Sequence, residues 1–169
     1  MRLISKALFG AAAMALAAGP ATANEPEPLV TYQSLSPELA MRAATAGLEN
    51  CRKTGFQIAI TVTDRFGLAL VMLRDRYAGA HTPDTATRKA WTAASFRTDT
   101  LELAALAEKG EMWALRRVTN ALPLGGGLPI RNGDGALVGA IGVSGAPGGE
   151  ADKACAEAGI AAIEDDIAF

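Results

Sequence analysis

The spacing of apolar residues changes along the chain from helical to extended and back again. Between Ser36 and Gly55 the apolar side chains recur at helical spacing, and Ser36-Pro37-Glu38 is typical of a helix start. Residues 56–63 alternate apolar and polar side chains, which predicts a strand with one apolar face. After a turn at residues 64–67, residues 68–73 are apolar on both faces, so we expect this return strand to be central.

The second half of the chain repeats this combination of helices and a hairpin. The predicted elements are helices at residues 82–96, 100–107 and 150–163 and strands at residues 128–131 and 136–144. A glycine loop at residues 123–127 precedes the strands, and Asn132-Gly133-Asp134-Gly135 predicts the hairpin turn between them. The order of elements predicts an α+β fold, with a central antiparallel sheet and helices on both faces.

The N-terminal segment has the three parts of a secretory signal peptide. Arg2 and Lys6 give a basic start, residues 7–18 carry no charge, and Ala21-Thr22-Ala23 is a small-x-small cleavage site. The apolar run is too short to span a bilayer. We therefore predict a signal peptide at residues 1–23, an extended arm at 24–35 and one domain at 36–169. The mature protein is expected to be periplasmic or secreted, without membrane insertion.

The charge of the mature chain argues against nucleic acid as a partner. Without Arg2 and Lys6, 14 of the 16 basic residues remain against 18 acidic ones, a net charge of −4. Binding to phosphates needs clustered positive charge, and the sequence has no run of lysine or arginine that would suggest an anionic membrane surface.

The two cysteines, Cys51 and Cys155, gain importance in an exported chain. An oxidising compartment allows them to pair, and each is close to the end of a predicted helix. A bridge would close a loop of roughly 100 residues and stabilise the fold by up to ~4–5 kcal/mol. The alternative is two unpaired buried thiols.

Several familiar site patterns are incomplete in this chain. GVSGA at residues 142–146 approaches the nucleophile elbow of hydrolases, but that fold needs a later histidine and the single one, His81, comes earlier. Gly125-Gly126-Gly127 lacks the lysine of a phosphate-binding loop, and one histidine with two distant cysteines makes no zinc cluster. Glycines before Glu150 could present amides to an anion, but Glu150 and Asp152 would repel it.

His81 and its neighbours are the remaining candidates for chemistry. Imidazole is an axial ligand of haem iron, and Arg76 and Arg88 could pair with the haem propionates. Tyr77 and Trp91 could flank a flat ring system. The alternative for His81 is a solvated surface histidine, and for Trp91 core packing is the stronger interpretation.

Four segments and their order resemble a known family. They are VTDRFG at residues 62–67, TRKAWTA at 87–93, GGGLPI at 125–130 and VGAIGVSG at 138–145, followed by Asp152 and Ala156 in the last helix. This pattern resembles the GlcG/HbpS family, also called the haem-degrading domain family, and it is similar to the C-terminal domain of the cobalamin-pathway PduO proteins. The resemblance covers residues 36–163.

The resemblance implies a profilin-like α-β-α sandwich and a homo-oligomer. Characterised relatives bind haem, and some exported ones act with a sensor kinase in redox signalling. Lys89 and the triple glycine match the family by position, which makes Lys89 a candidate cofactor contact or a residue that maintains the fold. The axial ligand differs among relatives, so His81 is proposed from coordination chemistry alone.

Three functions follow as hypotheses. The first is non-enzymatic haem binding outside the cytoplasm, in haem or iron handling or redox sensing, with His81 as the iron ligand. The second is an enzyme acting on a small carboxylate or a redox-active metabolite, which Arg65, Arg88 and Ser144 would bind. The third is an accessory binding module for a sensor kinase or a transport system.

Overall fold

Four antiparallel strands form the centre of the computed structural model, which describes residues 28–169. The strands are β1 (Ala59–Asp64), β2 (Ala69–Arg74), β3 (Gly127–Arg131) and β4 (Leu137–Ser144). Their order across the sheet is β2, β1, β4, β3. The predicted signal peptide, residues 1–23, and residues 24–27 of the predicted arm lie outside the described residues. Tyr32–Phe169 is one compact unit, and residues 28–31, which carry no helix or strand, belong to another.

Helices cover both faces of the sheet. They are α1 (Pro37–Lys53), α2 (Thr82–Phe96), α3 (Thr100–Glu108) and α4 (Gly149–Ala161), with short 3-10 helices at Trp113–Arg117 and Glu164–Ile167. α1 and α4 pack on each other and on the face that carries Ile60 and Ile141, whereas α2 lies on the opposite face. The predicted α+β fold is confirmed. Within residues 28–169, no helix has both the length and the apolar character needed to cross a membrane.

The helix starts follow the local chemistry of the sequence. The Ser36 hydroxyl accepts a hydrogen bond from the Leu39 amide at 3.3 Å, and Pro37 occupies the first helical position of α1. α3 starts in the same way, because the Asp99 carboxylate accepts from the Leu101 amide at 2.8 Å. These caps satisfy backbone amides that have no partner inside a helix.

The prediction that residues 68–73 form a central strand is wrong. β2 lies at the edge of the sheet, and Met72 on it is 47% exposed. β1 occupies the interior because both of its faces are covered: Ile60 points toward α1, while the Thr61 hydroxyl lies 3.0 Å from the Thr87 hydroxyl of α2. A threonine is small enough to pack beneath a helix and polar enough to bond to it, and simple alternation does not reveal that.

Glycines allow α2 to lie directly on the sheet. A Cβ atom at Gly127 would stand 2.5 Å from the Lys89 carbonyl oxygen, and one at Gly142 would overlap the Ala86 carbonyl. Both glycines are therefore needed for the close approach of two backbones rather than for a turn. The consequence is that Lys89, in the middle of α2, reaches the far end of β4.

The main core lies between the sheet and the α1–α4 layer. A disulfide between Cys51 on α1 and Cys155 on α4 crosses this layer, and it joins residues 104 positions apart. The disulfide between Cys51 and Cys155 that the sequence analysis considered is confirmed. Since both cysteines are buried in the core, the bridge fixes α4 against α1 and thereby the position at which α4 begins.

Candidate functional site

A cleft of about 350 Å³ opens where the first turns of α2 and α4 meet the end of β4. Its lining includes His81 before α2, Thr85 and Lys89 on α2, Ser144 at the end of β4 and Gly149 on α4. We call this the α2–α4 cleft. It forms here because β4 ends at Ser144 and the glycine-rich residues 145–149 turn the chain away from the sheet into α4.

A buried ion pair forms the floor of the cleft. The Lys89 ammonium donates to the Asp152 carboxylate at 2.7 Å and to the Val143 carbonyl at 2.9 Å. The other Asp152 oxygen accepts from the Ala146 amide at 2.9 Å. Burial lowers the pKa of Lys89 and raises the pKa of Asp152, and the charge of each residue partly opposes the shift of the other. The pair thus joins α2 to the start of α4.

His81 stands at the rim with its imidazole unengaged. It is the residue before α2, it is exposed, and its side chain forms no hydrogen bond with any of residues 28–169. The backbone around it is held, because the Thr82 hydroxyl donates to the Gly79 carbonyl at 2.8 Å and the Thr85 hydroxyl donates to the His81 carbonyl at 2.9 Å. Neither ring nitrogen is therefore occupied by a described residue, so one could bind a metal and the other could form the hydrogen bond that ligating histidines usually make.

Three other predicted contacts, Arg76, Tyr77 and Arg88, do not line the cleft. Arg76 and Tyr77 lie on the loop before His81, with the guanidinium carbon 5.8 Å from the Tyr77 ring centroid and the tyrosine 79% exposed. Arg88 donates to the backbone carbonyls of Asn120 and Ala121 at 3.4 and 3.3 Å. Of the five predicted site residues, His81 and Lys89 line the α2–α4 cleft.

Trp91 packs rather than lining the cleft. It is half-buried against a small apolar cluster that includes Leu103 and Leu115. The core-packing interpretation of this residue is confirmed.

The partnership of Lys89 with Asp152 has no signal in the sequence. The two residues are 63 positions apart. The sequence marked Asp152 as a negative charge at a helix start and as part of the family resemblance, but nothing in it paired Asp152 with Lys89. Lys89 pairs with the Asp152 carboxylate, whereas Glu150, the other acid of the same first turn, keeps the negative charge that was expected to repel an anion. Glu150 is exposed and has no part in the pair.

Comparisons with known proteins identify the family. The family model described as "Haem degrading protein HbpS-like" matches residues 35–161. The chain belongs to the HbpS-like family. Among proteins with curated descriptions, none matches this HbpS-like chain.

Solved structures agree with this HbpS-like assignment. A double mutant of Streptomyces reticuli HbpS is 39% identical, covers 86% of this chain and 97% of its own, and has a TM-score of 0.75. The protein ORFY of Klebsiella pneumoniae is 25% identical, with 80% and 94% covered and a TM-score of 0.76. A structure described as a PduOC:Heme complex is 28% identical, with 77% and 95% covered and a TM-score of 0.70.

Proposed function

We propose that this protein is an exported haem-binding protein whose haem site is the α2–α4 cleft, with His81 as an axial ligand of the iron. The observation that carries the proposal is the unengaged imidazole of His81, held by a fixed backbone at the rim of a cleft. The HbpS-like family supports a haem-related function, and one relative of similar fold is described in complex with heme.

The donor set of the cleft fits haem. An imidazole is a common axial ligand, and haem supplies the redox-active iron when it is bound. The cleft volume of about 350 Å³ lies at the low end for small-molecule sites, so a porphyrin would project beyond it past the rim. On that side Arg76 and Tyr77 remain predicted contacts. Lys89 would hold the floor of the cleft together through its ion pair with Asp152. The contact of Arg88 with a haem propionate stays a prediction.

The projecting part of the ring needs cover, and we propose that a second copy of this chain supplies it. The family resemblance implies a homo-oligomer, and an open cleft at a subunit boundary would enclose haem better than one chain does. The role that fits is haem or iron handling or redox sensing in the periplasm or outside the cell, with a sensor kinase or transport system as partner. The support for export is the composition of residues 1–23.

A haemin titration tests the proposal. We expect the wild type to shift the Soret band of haemin, and His81→Ala to weaken binding about tenfold or more and change the band. Free imidazole added to the haem-loaded His81→Ala protein should restore the wild-type spectrum. The control is Ser95→Ala, an exposed position of α2 outside the cleft, which should behave as wild type. An unchanged band in His81→Ala rules out His81 as ligand, and no binding by the wild type rules out the function.

A further inference from the structure

We propose that a cavity beside the β1–β2 turn is a binding site for a doubly charged oxyanion, namely a phosphate group or a small dicarboxylate. The cavity has a volume of about 320 Å³, and its lining includes Arg65 and Phe66 from that turn and Arg97 at the end of α2. We call it the arginine pocket. No acidic side chain of residues 28–169 lines it, so its charged lining is positive throughout.

The arginine pocket is separate from the α2–α4 cleft. β1 pairs Ala59 with Ser144 at one end of β4 and Asp64 with Gly139 at the other. Arg65 follows Asp64, so it lies at the opposite end of the sheet from the Ser144 with which the sequence grouped it. The inference therefore does not depend on haem binding in the cleft.

The two guanidinium groups have no anionic partner in the described part of the chain. Within residues 28–169, neither Arg65 nor Arg97 forms an ion pair, and neither guanidinium donates a hydrogen bond. Each guanidinium carries five N–H donors in a planar fork that matches the oxygens of a phosphate or a carboxylate. The donors on both arginines are thus available to an anion that enters the pocket.

The acidic residues near these arginines in the sequence do not neutralise them. Asp64 accepts hydrogen bonds from two backbone amides of the β1–β2 turn, and Asp99 pairs with Lys153 at 2.7 Å. Glu102 lines a separate hollow that Arg97 also borders, but it forms no ion pair with any cation of residues 28–169. The charge of the arginine pocket therefore stays uncompensated by the described chain.

Both arginines are positioned before a ligand binds. The guanidinium carbon of Arg65 lies 4.7 Å from the ring centroid of Tyr32 and 5.5 Å from that of Phe66, and stacking of this kind leaves the in-plane N–H groups free. The carbonyl of Arg97 accepts from Nη2 of Arg131 at 2.9 Å, which brings a third guanidinium close to the pocket. Groups that are already ordered lose less entropy when a ligand binds.

The backbone at Arg97 supports a role for its side chain. Arg97 ends α2 in the left-handed conformation, with φ 55° and ψ 31°, where helices usually place a glycine. Among residues 28–169, the other non-glycine residue with positive φ is Asn120, and asparagine adopts this conformation more readily than arginine does. Strained positions of this kind occur at ligand clamps, where the side chain has a use that offsets the cost.

Two uncompensated guanidinium groups favour a ligand with two negative charges. A single carboxylate would leave one of them unpaired, whereas a phosphate group near neutral pH or a dicarboxylate supplies a matching charge. These two sources of the oxyanion share their chemistry. The experiment separates them by using inorganic phosphate and succinate as probes, with acetate as the singly charged comparison.

Isothermal titration calorimetry of the haem-free protein at pH 7.5 and constant ionic strength tests the arginine pocket. The variants are Arg65→Ala and Arg97→Gly. The matched control is Arg116→Ala, which removes the same charge from an exposed position that does not line the pocket. Thermal unfolding of each variant is measured alongside. Arg97→Gly should unfold at or above the wild-type temperature, because glycine accepts a positive φ without strain.

We expect the wild type to bind phosphate or succinate more tightly than acetate, and the tighter dianion identifies the source. Arg65→Ala and Arg97→Gly should each weaken that binding about tenfold or more, as loss of hydrogen bonds to a charged group does, and Arg116→Ala should match the wild type. The arginine pocket is overturned if neither dianion binds, if acetate binds equally well, or if the two pocket variants bind no more weakly than Arg116→Ala. None of these results changes the test of haem binding through His81.

Discussion

At the residue scale, the Lys89–Asp152 pair organises the cleft more than it stabilises the fold. Removing two charges from water costs several kcal/mol per ion in proteins, and the attraction between them repays this cost only with complete hydrogen bonding. Here both oxygens of Asp152 accept hydrogen bonds, from Lys89 and from the Ala146 amide, and Lys89 uses two of its three donors, on Asp152 and on the Val143 carbonyl. The ion pair fixes α2 relative to the start of α4, and the cleft that forms there is lined by both His81 and Ser144.

Lys89→Met should therefore be strongly destabilising at neutral pH. It leaves the Asp152 carboxylate buried without its cation, which costs about 3–5 kcal/mol of unfolding free energy. Burial already raises the pKa of Asp152 above its ordinary 3.8, and loss of the ammonium removes the largest opposing effect. The folded variant then binds a proton that the unfolded chain does not, so its stability should rise as the pH falls from 7 toward 5.

Urea unfolding at pH 7 and pH 5 measures this effect. The matched control is Lys89→Met combined with Asp152→Leu, which removes both charges and should be more stable than the single variant at pH 7. If Lys89→Met lost the same unfolding free energy at both pH values, or the same amount as the double variant, Asp152 would not be a buried charge.

At the element scale, α4 is held in place at several points along its length. Its first turn is tied to α2 through Asp152, and Cys155, one turn later, is tied to α1 by the disulfide. Gly47 on α1 allows this approach, because a Cβ atom there would stand 2.7 Å from the Cys155 carbonyl oxygen. The start of α4, which lines the cleft, is thus anchored to the helices on both faces of the sheet.

Reduction of the disulfide should lower the stability of the fold substantially. The bridge joins residues 104 positions apart, and closing so long a loop in the unfolded chain stabilises the native state by up to about 4–5 kcal/mol. Guanidinium unfolding followed by tryptophan fluorescence, with and without dithiothreitol, measures the loss. Cys51→Ala with Cys155→Ala is the control, since its midpoint should not respond to the reductant. A wild-type midpoint that does not move on confirmed reduction would contradict the prediction.

At the scale of the whole molecule, the sandwich leaves one end of the sheet open, and the cleft is found there. The glycines under α2 bring its backbone onto the sheet, and residues 145–149 lead out to α4. The long-range disulfide suits a protein that functions in an oxidising compartment, which agrees with the proposal of export.

Export predicts a defined mature N-terminus. Expressed with its own N-terminal segment in a bacterial host, the protein should be recovered outside the cytoplasm as a chain that starts near Asn24, because Ala21 and Ala23 match the pattern of a cleavage site. Intact-mass spectrometry of cell fractions checks this. Ala23→Arg should leave an uncleaved precursor. Recovery of the unaltered protein in the cytoplasm with residues 1–23 attached would contradict export.

The sequence by itself determined the local elements, the fold class and the family. Ser36 starts α1 and Asp99 starts α3 through bonds to amides only a few residues away, so their effect can be predicted without any tertiary structure. The two cysteines could be paired because the described chain contains no others to compete for them. His81 could be chosen as a candidate because it is the single histidine.

Only the tertiary structure decided which strand is central and which residues share the cleft. The apolar side chains of β2 suggested burial, but strand order across the sheet, which is a property of the whole chain, placed β2 at the edge. Lys89 meets Asp152 across 63 positions, and Ser144 faces the same cleft as His81, only because α2 and α4 converge at the end of β4. Periodicity and caps act over a few residues, whereas such contacts depend on how the layers pack.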